Sequence, residues 1–73
     1  MNEGMLWLDD SAERSIEDKI GRALDWYKEH YDPQPNLCFV NQTALNEEIQ
    51  MQGVSVKPAT FVLPNHFWIG SSA

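Results

Sequence analysis

Apolar positions recur along the chain with a helical period in one segment and shorter runs elsewhere. Residues 15–31 place their apolar side chains on one stripe: Ile16, Ile20, Ala23, Leu24, Tyr27 and Tyr31. Charged residues occupy the other side, as in an amphipathic helix. Ser15 and Asp18 resemble a capping box for the first turn. Pro33 disfavours further helix, because a proline pushes the residue before it out of the α region. The pattern therefore predicts a helix over residues 15–31.

Short apolar runs on either side of this helix predict strands. Residues 5–8 end abruptly at two aspartates, and residues 37–40 form a continuous apolar run typical of a strand buried on both faces. Strand, helix and strand make a βαβ unit. We therefore expect these two strands to be parallel neighbours joined by a right-handed crossover.

The following segment predicts a second, shorter helix. Thr43 can cap a helix over residues 44–51, in which Leu45 and Ile49 are one turn apart. Gly53 would end this helix.

The rest of the chain predicts further strands. Residues 54–57 alternate like a half-buried strand, residues 67–69 are predicted as a strand, and residues 61–63 as a strand or an extended arm. We expect one α/β domain of the mixed α+β kind over residues 1–73, with a sheet of three to five strands. The long helix would cover one face, and the short helix the other face or an edge.

The sixteen residues after Lys57 carry no fixed charge and include Phe61, Phe67 and Trp68. Such a segment is either part of the sheet or an arm that binds a partner. Its strand-like runs and turn residues favour a strand that completes the sheet, with one face of that strand shared with a second subunit.

The size of the chain limits its stability. A domain of 73 residues buries only about 60% of the surface of its unfolded chain, and domains this small are commonly stabilised by a disulfide, a metal or oligomerisation. Cys38 is the only cysteine, and with two histidines it does not make a closed zinc site. We therefore expect no cofactor, a homo-oligomer or another protein as partner, and a reducing, cytoplasmic location.

The charge of the chain excludes some partners. Five basic against eleven acidic residues give a net charge of −6, which disfavours direct binding to nucleic acid or to anionic membranes. The sequence shows neither a secretory signal pattern nor an apolar run of transmembrane length.

Asp9 and Asp10 follow the first predicted strand, at the edge of the sheet where ligands bind in open α/β sheets. They could hold Mg²⁺, and the pair resembles that of response-regulator receiver domains. However, the chain is much shorter and has Asn41 near the position of the phosphoacceptor aspartate. The commoner role of such a pair is to end a strand.

His66 could act as a base or a metal ligand, although a turn histidine bonded to backbone is commoner. No nucleophile spacing, phosphate loop or metal motif accompanies it. These absences weigh against an enzyme, although a metal-dependent or histidine-dependent one stays an alternative.

Aromatic residues near the borders of predicted elements are candidate interface residues. Trp26 lies on the flank of the helical stripe, where it either covers the edge of the core or contacts a partner. The predicted interface residues are Trp7, Trp26, His66, Phe67 and Trp68.

Two stretches, residues 6–10 leading into the helix and residues 63–70 (LPNHFWIG), resemble small bacterial proteins. The resemblance implies a compact intracellular domain and no particular activity.

The leading hypothesis is a non-enzymatic interaction or assembly domain that forms a homodimer through its C-terminal aromatic strand. One alternative is an acidic regulator that occupies a basic site on a nucleic-acid-binding protein. Another is a small metal- or ligand-binding domain that uses Asp9, Asp10 and His66.

Overall fold

Five strands and one helix make up the part of the chain that the computed structural model describes, residues 3–31 and 34–71 without the side chain of Glu3. In chain order they are β1 (Glu3–Leu8), α1 (Ile16–His30), β2 (Leu37–Asn41), β3 (Ile49–Met51), β4 (Val54–Ala59) and β5 (His66–Ser71). The predicted α+β architecture with a mixed sheet is confirmed.

The strands form one sheet in the order β1-β5-β2-β4-β3. Strand β5 is antiparallel to both of its neighbours, β4 is parallel to β2, and β3 is antiparallel to β4. Strands β1 and β2 therefore point in the same direction, as expected, but they are not neighbours because β5 lies between them. The C-terminal strand is thus central in the sheet, rather than a strand added at its edge.

Helix α1 matches the predicted helix to within one residue at each end. The Ser15 hydroxyl caps it by accepting a hydrogen bond from the Asp18 backbone N–H at 3.1 Å. At the other end the Tyr31 N–H donates to the Tyr27 carbonyl at 2.8 Å, and Tyr31 itself is extended. Residues 32 and 33, which were predicted to stop the helix, lie outside the described residues.

The core lies between α1 and one face of the sheet. Its buried members are Ile20, Ala23, Leu24, Tyr27, Cys38, Val40, Val54, Val56, Phe67 and Ile69. Every second residue of a strand points to the same face, and the buried strand residues follow that alternation. Burial raises the pKa of the Cys38 thiol to about 12, so this cysteine is a protonated packing residue at neutral pH.

The predicted second helix over residues 44–51 is wrong. Thr43 does not cap a helix, because its N–H and hydroxyl both donate to the Asn41 side-chain oxygen. Strand β3 pairs with β4 through a tight turn at Gln52 and Gly53, whose φ angles of 54° and 77° match a two-residue hairpin. Leu45 and Ile49 fitted a helical spacing, but two apolar positions do not separate that period from the alternation seen in β3.

Residues 61–63 are also not a strand. They belong to the connection between β4 and β5, which folds over the sheet face opposite α1. The Asn41 side-chain amide holds this connection by donating to the Val62 carbonyl at 2.7 Å, and Val62 is 4% exposed.

Candidate functional site

The sheet face opposite α1 is not covered by any helix or strand of the described residues. We call this surface the open face. Strand alternation and the burial pattern assign to it these strand residues: Leu6, Leu8, Leu37, Phe39, Gln50, Ser55, Lys57, His66 and Trp68. The sheet therefore buries only one of its two faces within the monomer.

Large apolar side chains are exposed on the open face and on the connection that crosses it. Leu6 is 61% exposed and Leu8 59%, while Phe61 is 70% and Leu63 66% exposed. Phe39 joins the two groups, since its ring centroid lies 5.0 Å from that of Phe61 and 5.7 Å from that of Trp68. A groove of about 240 Å³ runs between them. Contiguous exposed apolar surface of this kind marks interaction sites in soluble proteins.

Trp68 lies flat across Gly4 of the adjacent strand. A methyl group added at Gly4 would overlap the indole ring of Trp68 and also approach the Ile69 carbonyl oxygen at 2.7 Å. The absence of a side chain at Gly4 therefore lets the indole lie on the backbone. As a result, the open face carries an aromatic surface made by Trp68 and Phe39, whose rings are tilted by 40° to each other.

Charge is distributed unevenly over the fold. Among the described strand residues of the open face none is an aspartate or a glutamate, and Lys57 is the only charged one. The described acids lie instead on α1 and the loops: Asp9, Asp10, Glu13, Glu17, Asp18, Asp25, Glu29, Glu47 and Glu48. The Glu48 carboxylate accepts a hydrogen bond from Gln50 Nε2 at the β3 end of the open face at 3.2 Å, but no described acid lines the apolar groove.

A second surface lies beside β1, on the side of the sheet that carries α1. Trp7 and Trp26 contact each other with ring centroids 5.6 Å apart, and the Trp26 indole stacks on the His30 imidazole at 3.9 Å. His30 Nδ1 lies 2.8 Å from the Trp26 carbonyl oxygen, to which it donates. Trp7 Nε1 is buried with no hydrogen-bond partner among the described residues. Ring packing therefore positions these aromatic side chains.

A groove of about 590 Å³ adjoins this aromatic cluster. We call it the β1 groove. Its lining comes from the end of β1, the following loop and one side of α1: Trp7, Leu8, Asp9, Asp10, Ser11, Arg14, Arg22, Asp25, Trp26 and Glu29. It combines two indole rings with four carboxylates and two guanidinium groups.

The predicted metal or ligand site does not assemble. Asp9 accepts a hydrogen bond from the Ser11 N–H at 3.0 Å and lies 3.6 Å from Arg14 Nη1. His66 Nδ1 lies 2.9 Å from the Pro64 carbonyl oxygen, the backbone contact typical of a turn histidine. Asp9 and His66 lie at the same end of the sheet, since Leu8 and His66 are register partners. However, Asp9 and Asp10 line the β1 groove and His66 does not. The described residues contain no group of three or more His, Cys, Asp or Glu side chains placed to hold a metal ion.

The five predicted interface residues lie in three different places. Trp68 and His66 are on the open face, whereas Trp7 and Trp26 line the β1 groove. Phe67 is 1% exposed and packs in the core, so its side chain is not accessible to a partner.

The most exposed apolar residues of this surface, Leu6, Leu8, Phe61 and Leu63, are not among the five predicted interface residues. The signal was present at Leu6 and Leu8, because two leucines two residues apart in a strand share one face.

The comparisons with known proteins do not add a relative. No protein-family model matches the chain, and no match was found among curated proteins or solved structures. No helix in residues 3–31 and 34–71 is both long enough and apolar enough to cross a membrane.

Proposed function

We propose that this protein is a non-enzymatic interaction and assembly domain that forms a homodimer by stacking two open faces. The observation that carries the proposal is the exposure of Leu6, Leu8, Phe61 and Leu63, each between 59% and 70%, with Leu6, Phe61 and Leu63 lining one groove. Strand β5 contributes Trp68 and His66 to this surface, so the C-terminal aromatic strand takes part through one of its faces and not through an edge.

The sheet geometry supports such a dimer. Two sheets that pack face to face bury their inner side chains in a layer about 10 Å thick. In a two-fold dimer the same patch is used on both subunits, so an exposed ring such as Phe61 would lie against the partner's open face. The dimer would then bury a second apolar layer, between the two open faces. A single domain of 73 residues buries too little surface on its own to be more than marginally stable.

The charge distribution supports a second copy as the partner. The open face has no described strand carboxylate, and Glu48, which bonds to Gln50 on β3, does not line the apolar groove. Burial of that groove would therefore not itself bury a carboxylate. The net charge of −6 would oppose association only at longer range, where salt screens it over about 10 Å at 0.1 M. We therefore expect dimerisation to strengthen with moderate salt, the opposite of a charge-driven complex.

The decisive experiment is the oligomeric state as a function of protein concentration. Sedimentation equilibrium from micromolar to millimolar protein should give a mass that rises from monomer to dimer. A protein that stays monomeric over that range, in both low and moderate salt, would overturn the homodimer proposal.

The alternatives have weaker support. Acids of α1 such as Glu17 and Asp18 are interspersed with Lys19 and Arg22, which weakens the acidic field that a regulator of a nucleic-acid-binding protein would need. A metal or ligand site lacks convergent side chains in the described residues. We place the protein in the cytoplasm, where a reduced, buried Cys38 is the expected state.

A further inference from the structure

Strand β1 is an edge strand with a free side. It pairs only with β5 among the described strands. The Asp9 N–H donates to the Asn65 carbonyl, so Asp9 and Asn65 are a hydrogen-bonded pair of the β1–β5 ladder. Two residues further along, Trp7 opposite Phe67 is the next such pair. Because bonded residues alternate in an antiparallel ladder, the N–H and C=O groups of Gly4, Leu6 and Leu8 point away from the sheet.

The β1 sequence protects this edge little, because its one charged residue, Glu3, is the first residue of the strand. Natural edge strands commonly carry a lysine, a proline or a bulge, or are very short, so that they do not pair with another chain. Strand β3, at the opposite edge, has only three residues, whereas β1 has six and contains neither lysine nor proline. The β1 edge is therefore able to accept an added strand.

A strand added here would meet two different surfaces. Its side chains on the open-face side would lie beside Leu6 and Leu8, which are both exposed. Its side chains on the other side would enter the β1 groove, which is lined by Trp7 and Trp26 and by carboxylates. The added strand would therefore alternate between two kinds of side chain.

The charges of the β1 groove determine which side chains the added strand should present to the groove. Asp9 is paired with Arg14, and Arg22 lies 4.0 Å from Asp18. The remaining groove acids, Asp10, Asp25 and Glu29, have no ion pair or hydrogen bond within residues 3–31 and 34–71. They are complementary to lysine or arginine, whose long stems would cover the two indole rings.

From this geometry we propose that β1 binds an extended basic segment of another protein by strand addition. The segment alternates lysine or arginine, which face the β1 groove, with apolar residues, which lie beside Leu6 and Leu8. Main-chain hydrogen bonds supply affinity in this mode and alternate side chains supply specificity. A second copy of this chain is a poorer occupant, because its β1 has no lysine or arginine to face the groove acids. The site uses the backbone edge of β1 and shares only Leu6 and Leu8 with the open face, so it does not require the homodimer.

The test uses a nine-residue peptide that alternates lysine and valine, with both ends blocked. Its dissociation constant for the full chain is measured by calorimetry, and the amide shifts of β1 by NMR. The same peptide is made with the backbone nitrogens of its lysines methylated, and again with the backbone nitrogens of its valines methylated. Only one set of nitrogens can face β1, so one of these peptides should bind at least tenfold more weakly and the other nearly as well as the parent. Equal binding by both would rule out strand addition.

Charge is tested separately. The peptide with glutamate in place of lysine should bind at least tenfold more weakly. D25N should weaken binding of the lysine peptide about two- to fivefold, the range of one exposed ion pair. E17Q is the matched control, because it removes one exposed charge of α1 outside the β1 groove, and it should change binding less than D25N does. No binding at millimolar peptide, or equal effects of the two variants, would overturn the proposal. Movement of the β1 amides with protein concentration alone would assign the edge to a second copy instead.

Discussion

Replacing Leu63 with glutamate should separate the homodimer without unfolding the monomer. Leu63 is 66% exposed on the connection between β4 and β5, so the monomer loses little when it is changed. Surface substitutions of this kind usually alter the free energy of unfolding by no more than about 0.5 kcal/mol. In the proposed dimer, by contrast, the same side chain is buried against the partner.

The size of the effect follows from the exposed fraction of Leu63. Full burial of a leucine contributes about 1.5–3 kcal/mol, so burying its remaining two thirds contributes roughly 1–2 kcal/mol. Two-fold symmetry applies the change twice, which gives roughly 2–4 kcal/mol for the dimer. Since about 1.4 kcal/mol is a factor of ten, the dissociation constant should rise roughly 30-fold to 1,000-fold. Burying the new carboxylate would add to this loss.

The assay is sedimentation equilibrium of the wild-type chain, L63E and A12E over the same concentrations. A12E adds the same charge at an exposed turn position that does not line the open-face groove, so it controls for net charge. Urea denaturation of each monomer checks that folding is intact. Equal dissociation constants for L63E and A12E would refute the open face as the dimer interface.

Three further predictions concern the stability of the monomer and use urea denaturation as the measurement. Gly4→Ala should cost about 1–3 kcal/mol, as overpacking does, because its methyl group meets the Trp68 ring and the Ile69 carbonyl oxygen; an unchanged midpoint would show that Trp68 does not lie flat on Gly4. Gly53→Ala should cost about 1–2 kcal/mol through its φ of 77° alone, since a Cβ there has nothing within 4 Å, and Gly53→Asn should cost less. Stability should fall as pH rises above 9.0, because the thiol of Cys38 ionises in the unfolded chain while burial keeps it protonated up to about pH 12 in the folded protein. The protein with Cys38→Ala should lack that part of the pH dependence, and an identical alkaline slope in both proteins would contradict it.

The helix and the fold class could be predicted from the sequence because their signals are local. Seventeen residues of helical periodicity with a serine cap define α1 without reference to the rest of the chain. The order of the strands is a long-range property. No local pattern says that β5 inserts between β1 and β2, so the two parallel strands were expected to be neighbours.

The faces of β5 show the same limit. Phe67 and Trp68 are adjacent, so they point to opposite faces, and both are large enough to fill a core. The structure places Phe67 under α1 and Trp68 on the open face, across Gly4. That choice depends on the small residue in a different strand, which the pattern around residues 67–69 does not contain. The candidate interface could therefore be predicted to involve β5, but not which of its side chains is accessible.

The central position of β5 has a consequence for how the chain folds during its synthesis. Leu8 and His66 are register partners, so β1 has no strand to pair with until the ribosome has released residues 66–71. Until then β1 remains unpaired, with its leucines and its tryptophan accessible to chaperones or to other nascent chains, whereas β2 can already pair with β4. Contacts this distant in sequence also slow folding. We therefore expect β1 to join the sheet only when β5 inserts between β1 and β2.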